Sequence, residues 1–300
     1  MKKGIAIFMA MMMAFSMTAC GSKDAETTAA ADTAKTTAAA ETTVAEETTV
    51  AEESTTAEAA DSTVESDMAY VQDKGVLVVG ITEFEPMDYK DADGNWIGFD
   101  ADVATAFAEK LGVEVEFVLI DWDYKVMELN GKTVDCIWNG MTLTDEVKSA
   151  MECSNPYCNN AQIVIVPADK ADQYQTVESL SELTFAVEAG SAGYKEATAL
   201  GLTCTEVASQ ADALMEVAAG TSDAAVIDSL MAAAMVGEGT GYADLTYTVG
   251  LNSEEYGVGF RKGSDLAAAL NDFFVEYYAA GTMVEVAETY GVQASLIEQK

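Results

Sequence analysis

Amide and hydroxyl groups are concentrated in WNGMTLTDEVK, the stretch from Trp138 to Lys148. An apolar run ends just before it, and Gly140 allows the backbone to bend there. Hydrogen-bonding groups beside an aromatic ring are suited to holding a small polar ligand. A negative charge on that ligand would need a cation. The nearest cation in this stretch is Lys148. The chain contains a single arginine, Arg261.

A second group of candidates follows a predicted strand in the sequence EAGSAG, residues 188–193. The first backbone amides of a helix have no intrahelical partner. Together with the hydroxyl of Ser191 they could form a modest anion site. A plain turn between a strand and a helix is the alternative, and the residues alone leave both open.

Two single residues also have a type and a position suited to ligand contact. Asp228 ends the apolar run Ala-Ala-Val-Ile, where it could cap the next helix or hold a ligand cation, and its local context favours the cap. Trp122 lies between Asp121 and Asp123. We therefore expect Trp122 to be half exposed, either packed against the surface or forming a ligand wall.

Strand and helix patterns alternate along the chain after residue 68. Strands are predicted at residues 76–80, 113–118, 133–138, 163–166, 185–187 and 224–227. Helices are predicted at residues 101–110, 211–219, 265–279 and from after Gly281 to Tyr290, with Asp100 and Ser264 as N-caps of the first and third. This alternation predicts an α/β fold with mainly parallel sheets, and its restart after Val166 predicts two of them. Ligands of such sheets bind at the carboxyl ends of strands, where the candidates above lie.

Six stretches of the chain carry a resemblance to a known family. They are VLVVGITEFEPMDYKDADGNWIGFDADVATAFAEKLGVEVEFV, DWDYKVMELNGKTVDCIWNGMTLTDE, SNPY, AVEAGSAG, AAVIDS and EEYGVGFRKGSDL. In this order and spacing they resemble the amino-acid-binding lipoproteins of bacterial ABC importers, the family 3 extracellular solute-binding proteins. The resemblance covers nearly all of the chain after residue 76.

The resemblance implies a two-lobed, hinged periplasmic-binding-protein type II fold, each lobe a mainly parallel sheet flanked by helices. Lobe 1 is expected to hold residues 68–162 and 254–300, and lobe 2 residues 163–253. The implied function is capture of an amino acid or a similar small polar ligand between the lobes, and its delivery to an ABC permease in the membrane. No catalysis, cofactor or metal is implied, and we expect a monomer.

The resemblance also implies roles for residues of lobe 1. The aromatic ligand wall of the family falls on Phe84 and Trp122. Its hydrogen-bonding corner falls on Asn139, Gly140 and Thr142.

Further roles are implied at lobe 2 and at the first loop. The helix start that holds a ligand carboxylate falls on Gly190, Ser191 and Ala192. The acid that binds the α-ammonium group falls on Asp228. Glu83, near the polar contact of the family's first loop, is expected to contact the ligand side chain, although a one-residue length difference lies beside it.

The chain departs from the family pattern at one position of this set. The family usually has an arginine there, which grips the ligand α-carboxylate through two hydrogen bonds, and here the residue is Val147. Lys148 is one residue further and could curl back to meet the carboxylate as a single charge. Arg261 matches a different stretch, outside the expected pocket.

The missing arginine leaves a cationic amine as an alternative ligand, which the acids Glu83, Glu85, Asp121 and Asp228 would suit. Two further alternatives keep the fold. One is a dehydratase-type enzyme in which Glu83 or Asp228 acts as a general acid, although the chain has no histidine. The other is a scaffold lipoprotein that binds no ligand.

The first residues predict export. Lys2 and Lys3 precede an apolar run, and residues 1–20 together have the order of a signal peptide. The ending Met-Thr-Ala-Cys-Gly resembles a lipobox, so Cys20 is the expected lipid-attachment residue. Residues 21–67 are mostly Ala, Thr and Glu and are predicted to be a disordered tether. The protein is therefore expected on the outer face of the bacterial membrane, attached only through its lipid.

The composition excludes other partners. The net charge of −36 is repelled by nucleic acid and by anionic membrane surfaces. Without histidine a transition-metal site is not expected. Cys136 and Cys204 lie in strand-like runs, whereas Cys153 and Cys158 could form a disulfide within a loop.

Overall fold

The computed structural model describes residues 66–300. The predicted signal peptide, Cys20 and the predicted tether up to residue 65 lie outside these residues. The first helix starts at Asp67, with the Ser66 side chain accepting a hydrogen bond from the amide of Ala69 as its N-cap.

Strands and helices alternate through the described part of the chain. The strands are β1 Val76–Ile81, β2 Tyr89–Lys90, β3 Trp96–Ile97, β4 Glu114–Leu119, β5 Cys136–Ile137, β6 Glu152–Cys153, β7 Cys158–Asn160, β8 Gln162–Pro167, β9 Thr184–Glu188, β10 Thr203–Val207, β11 Ala224–Asp228, β12 Leu245–Gly250, β13 Glu254–Tyr256 and β14 Gly259–Phe260. The α-helices are α1 Asp67–Lys74, α2 Phe99–Leu111, α3 Lys125–Asn130, α4 Asp145–Ala150, α5 Ala192–Ala199, α6 Gln210–Ala219, α7 Ser229–Met235, α8 Leu266–Ala279 and α9 Thr282–Thr289.

Two five-stranded sheets organise these elements. The first has the order β4-β1-β5-β14-β6, and the second has the order β10-β9-β11-β8-β12. In the first, β4, β1 and β5 are parallel, and β14 pairs antiparallel with β5 and β6. In the second, β10, β9 and β11 are parallel, while β8 and β12 are antiparallel additions. The predicted α/β fold with two sheets is confirmed. The sheets are mixed rather than mainly parallel, because each has two parallel and two antiparallel strand pairings.

We call the first sheet with α1–α4, α8 and α9 lobe 1, and the second sheet with α5–α7 lobe 2. The predicted restart after Val166 is wrong by one strand, because β8 already belongs to the second sheet. Its run QIVIVP is buried on both faces and pairs with β11 and β12. Between the lobes, β7 and β13 pair antiparallel, joining Asn160 to Glu254 in register.

Burial explains why these runs form strands and helices. In β1, which lies between two neighbours, Leu77, Val79 and Ile81 are fully buried, whereas the edge strand β4 alternates between exposed and half-buried residues. Helix α2 turns Val103 and Phe107 inward, and the Phe107 ring packs against the ring of Trp138, directly after β5, and that of Phe273 in α8. Gly112 ends α2 in the left-handed conformation.

The predicted N-cap Asp100 is wrong. Helix α2 begins at Phe99, and Gly98 holds the N-cap position with φ of 128°. A β-carbon on Gly98 would lie 2.1 Å from the carbonyl oxygen of Met87, so only glycine fits this close approach. Asp100 is instead fully buried in the first turn and accepts hydrogen bonds from the Gly140 amide and the Tyr157 hydroxyl, both at 2.7 Å.

The remaining differences concern element ends and cysteines. Helix α8 begins at Leu266 with Asp265 at the N-cap position, so the predicted N-cap Ser264 is wrong. The Ser264 hydroxyl does accept a hydrogen bond from the Leu266 amide at 3.3 Å. The predicted strand 133–138 is reduced to Cys136–Ile137. Cys153 and Cys158 are both free thiols, so the disulfide alternative is wrong.

The described residues contain neither a metal-binding cluster nor a membrane-spanning helix. Between residues 66 and 300, no group of three or more potential ligand side chains is arranged to hold a metal ion. No helix in that part of the chain has the length and apolar character needed to span a membrane.

Candidate functional site

A cavity lies where the carboxyl ends of strands from both lobes face each other. Its volume is about 30 Å³, enough for a few water molecules and too small for an amino acid. A ligand of that size can enter only if the lobes separate or side chains move. The cavity is lined by nine of the residues that the sequence singles out: Phe84, Trp122, Asn139, Gly140, Thr142, Gly190, Ser191, Ala192 and Asp228.

Two aromatic rings of lobe 1 form one wall. Phe84 follows β1, and its ring meets that of Tyr256 edge-on at 6.3 Å between centroids. Trp122 follows β4 in a single turn of 3₁₀ helix, with Asp121 as its N-cap. The expectation that Trp122 is half exposed is wrong, because it packs in an apolar cluster of lobe 1 that includes Leu129 and Val147, and 7% of its surface is exposed.

The corner after β5 is held in shape by its own hydrogen bonds. The Asn139 side chain accepts from the amide and the hydroxyl of Thr82 at 3.0 and 2.8 Å, and donates to Asp88 at 2.7 Å. Its amide group is therefore already occupied, and it positions the corner. Gly140 has φ of 53°, and a β-carbon there would lie 2.5 Å from the Phe84 ring. Thr142 donates its hydroxyl across to Glu254 at 2.9 Å.

The start of helix α5 faces this corner from lobe 2. Ser191 is the N-cap, and its hydroxyl accepts from the Tyr194 amide at 3.0 Å. The amides of Ala192 and Gly193 precede the first intrahelical hydrogen bonds and are available to an anion. Gly190 bends the chain with φ of 65° just before the helix.

We expect Gly190→Ala to weaken ligand binding by about tenfold or more. A β-carbon on Gly190 would lie 2.6 Å from Oδ1 and 2.8 Å from Cα of Asp123 in lobe 1, so the lobes could not close fully. The control is Gly201→Ala, also in lobe 2, where φ is +73° and no atom lies within 4 Å of the added carbon. Calorimetric titration of both variants separates the steric clash between the lobes from backbone strain. Strain alone would change the ligand affinity of both variants equally.

The Asp228 carboxyl group lies at the end of β11, with 4% of its surface exposed. Its Oδ1 atom accepts from Gln162 and Tyr256, both at 2.8 Å, and from Asn160. Among the described residues its Oδ2 atom accepts only from Gln210, which leaves room for one more donor. Asp228 occupies the N-cap position of α7 as predicted, but its side chain makes no capping hydrogen bond to the helix.

A second buried carboxyl group, that of Glu188, lines the same cavity. Its Oε1 atom is buried without a hydrogen-bond partner among the described residues. Burial raises the pKa of Glu188 to about 8, with a contribution from Asp228, and Lys125 opposes the rise. Burial also raises the pKa of Asp228 to about 7, with a contribution from Glu254. A cation placed beside both groups would favour their ionised forms.

Sequence reasoning missed a cation in this cavity, Lys125. It is the first residue of α3, and only 8% of its surface is exposed. Its Nζ atom donates to the carbonyl oxygens of Trp122 at 2.9 Å and of Gly190 at 3.1 Å, and lies 4.8 Å from the centre of the Trp122 ring. Burial lowers the pKa of Lys125 to about 8, and the charge of Lys195 adds to this.

Lys195 of α5 also lines the cavity and forms an ion pair with Glu146 of α4, across the cleft. Two predicted site residues are placed elsewhere. Glu83 and Lys148 are both exposed and do not line the cavity, whereas Val147 does.

Arg261 is buried but does not line the cavity. It binds Asp67 and Asp135 and the carbonyl oxygens of Leu129 and Val134. It therefore fastens α1 to the first sheet and does not face the cleft.

Known proteins are similar to the chain over nearly all of its described part. The model of the bacterial extracellular solute-binding proteins, family 3, matches residues 77–293. The L-cystine-binding protein TcyJ of Escherichia coli K12 is 27% identical over 225 residues, covering 73% of this chain and 84% of that protein. The L-arginine-binding protein of Pseudomonas aeruginosa is 28% identical over 236 residues, covering 74% and 89%.

Solved structures agree with this similarity. The substrate-binding protein of an ABC uptake transporter from Streptococcus pneumoniae, with bound histidine, has a TM-score of 0.71 and 30% identity, covering 77% of this chain and 98% of that one. The two lobes thus have the periplasmic-binding-protein type II fold. These relatives are binding proteins, and the chain is a binding protein rather than an enzyme. The chain belongs to the bacterial extracellular solute-binding proteins, family 3.

Proposed function

We propose that the protein captures an amino acid, or a close derivative, between its two lobes and delivers it to an ABC permease. The observation that carries this proposal is the charge arrangement of the cavity. Asp228 and Glu188 lie in it beside Lys125 and the start of α5. Acidic groups suit an α-ammonium group, and a lysine with free helix amides suits a carboxylate. A zwitterion matches both.

The same arrangement argues against the cationic amine that the missing arginine suggested. Two of the cavity residues, Lys125 and Lys195, are cations, and an amine without a carboxylate would leave Lys125 without a partner of opposite charge on the ligand. The acids Glu83 and Asp121, which made an amine attractive, are exposed. We therefore retain the amino acid as the ligand.

A thermal-shift screen tests the proposal. The full chain is heated with each of the twenty protein amino acids and L-cystine in turn. A true ligand at about a hundredfold excess over its dissociation constant adds about 2.7 kcal/mol of stability. For a domain of this size that raises the unfolding temperature by about 5–10 °C. If no compound raises it, the proposal is wrong and the scaffold alternative is favoured.

Within this proposal the chain is organised as a tethered, monomeric receptor. Residues 1–20 direct export, Cys20 carries the lipid and residues 21–67 form the tether to the outer face of the membrane. Lobe 1 comprises residues 68–162 and 254–300, and lobe 2 residues 163–253. The strands of the first sheet, β1, β4, β5, β6 and β14, all fall in the lobe 1 ranges. Those of the second sheet, β8–β12, span residues 162–250, which supports these boundaries to within one residue.

We expect Cys20→Ala to move the protein from the membrane fraction to the soluble fraction. The reason is that the tether and lobes carry a strong negative charge and have no affinity of their own for an anionic membrane. Cell fractionation followed by immunodetection measures this, with Cys204→Ala as a control for loss of a thiol. Equal partitioning of the wild type and the Cys20 variant would refute the lipid anchor.

A further inference from the structure

The cavity contains a cation at a place that the family pattern does not predict. Where the family usually has an arginine, this chain has Val147, whose side chain is 6% exposed and lines the cavity. Val147 and Lys148 lie in the first turns of α4, which begins after the Thr144 N-cap. Val147 is buried, whereas Lys148, the next residue on the helix, is exposed to solvent. Neither residue of this helix can place a positive charge in the cleft.

Lys125 reaches the same cavity from another element. Its Nζ atom is 3.1 Å from the carbonyl oxygen of Gly190, the residue directly before the Ser191 N-cap. The ammonium group therefore lies next to the helix start, where the resemblance places a ligand carboxylate. An ammonium group has three donors, and Lys125 uses two of them, on Trp122 and Gly190.

A second observation points to a ligand at this place. Glu188, with 2% of its surface exposed, has an unpartnered oxygen in the same cavity, among the described residues. A buried polar atom without a partner costs free energy unless something binds to it. The cavity thus contains a donor on lobe 1 with one free position and an unpartnered acceptor on lobe 2.

We propose that Lys125 has taken over the role of the missing arginine and holds a carboxylate of the ligand against the start of α5. This proposal rests on the function proposed above and narrows it: the ligand carries a free carboxylate. On binding, Lys125 exchanges its contact with the Gly190 carbonyl oxygen for a carboxylate oxygen. The same carboxylate accepts from the amides of Ala192 and Gly193. Because Lys125 belongs to lobe 1 and α5 to lobe 2, the carboxylate draws the lobes together.

Lys195 and Lys148 are the two rival cations. Lys195 is engaged with Glu146 in an ion pair at the cleft edge, and its side chain is 42% exposed. Lys148 is exposed, and its own backbone carbonyl accepts from Lys262 at 3.0 Å. Lys125 is the most deeply buried of the three, so its charge acts on a ligand with the least screening.

The experiment measures dissociation constants by calorimetry with the full chain. The probes are the twenty protein amino acids and L-cystine, followed by the α-carboxamide of the tightest binder. The variants are Lys125→Met, which keeps length without charge, Lys125→Arg, Lys148→Met and the surface control Lys170→Met. We expect Lys125→Met to weaken binding of the amino acid about ten- to a hundredfold, with Lys125→Arg close to the wild type. Lys148→Met and Lys170→Met should have no effect.

The carboxamide distinguishes loss of a charge contact from loss of shape. It should bind the wild type weakly, and Lys125→Met should weaken it by less than about threefold further. Equal losses for amino acid and carboxamide, no loss with Lys125→Met, or a loss only with Lys148→Met would overturn the role of Lys125 while leaving the proposed function intact. If no probe binds the wild type, the proposed function fails and the inference fails with it.

Discussion

Replacing Asp228 by asparagine is expected to weaken amino-acid binding about ten- to a hundredfold. A hydrogen bond to a charged group contributes about 1.5–3 kcal/mol, and the ligand ammonium would lose that contact. The variant should still fold, because asparagine resembles the protonated carboxyl group. The pKa of Asp228 is raised to about 7, so the neutral form is already populated in the folded protein. Calorimetry gives the affinity, and the unfolding temperature gives the check on folding.

The pH dependence of binding separates charge from shape in this variant. In the wild type, affinity should rise above about pH 6 as the buried carboxyl groups of the cavity ionise, and should fall again above about pH 8, where Lys125 loses its charge. The Asp228→Asn variant should show a smaller rise. Asp172→Asn, an exposed site in lobe 2, is the matched control and should bind as the wild type does. Unchanged affinity in the Asp228 variant would remove this residue from the site.

The second large effect expected is a loss of stability as the pH rises from about 5 to about 7. Four buried carboxyl groups carry a raised pKa, all through burial first: Asp88, Asp100, Glu188 and Asp228. Between the ordinary pKa near 4 and the raised value, the folded state keeps a proton that the unfolded state has lost. Folding therefore takes up protons in this range, and the free energy of unfolding falls as the pH rises.

The size of the effect follows from the number of protons retained. One retained proton changes the free energy of unfolding by about 1.4 kcal/mol per pH unit. Over about two units each group that stays protonated contributes about 2.7 kcal/mol, or about 5–10 °C in unfolding temperature, and the contributions of several such groups add. The acids whose pKa is lowered, such as Glu146 and Asp223, act at lower pH and outside this range. Constant or rising stability would show that the buried carboxyl groups are ionised throughout.

Urea unfolding at about pH 5 and about pH 7 measures this effect, because urea adds no ionic strength. Glu188→Gln provides the internal control. It removes one group that takes up a proton on folding, so the decline in stability should become shallower by up to about 1.4 kcal/mol per pH unit. Glu206→Gln, on the exposed face of β10, should leave the slope unchanged.

Most of the lobe elements could be predicted from the sequence because their patterns are local. The continuous apolar run VLVVG indicates a buried strand, and the alternating run VEVEFV indicates a half-exposed one. Gly112 and Gly220 end their helices in the left-handed conformation. The cleft position of Asp228 and Ser191 follows from the rule that ligands bind at carboxyl ends of strands. The resemblance to a family then indicated which of these strand ends are expected to contact the ligand.

The residues that were missed depend on contacts between distant parts of the chain. Lys125 begins a short helix in DWDYKVM, where a lysine ordinarily faces solvent, and nothing nearby indicates that Gly190, 65 residues further, accepts from it. Asp100 matches the sequence pattern of an N-cap. Its burial is caused by Tyr157 and Gly140, which reach it across the lobe. In the sequence, the replacement of the family's usual arginine by Val147 was the one local sign that a different residue supplies the positive charge of the cleft.

Hydrogen–deuterium exchange of the full chain with and without ligand tests the central claim, capture between two lobes, most directly. The ligand is the amino acid that raises the unfolding temperature most. We expect slower exchange in two segments at once, residues 139–144 of lobe 1 and residues 189–194 of lobe 2, which face each other across the cavity. Protection confined to one lobe, or located away from both segments, would contradict binding in this cleft.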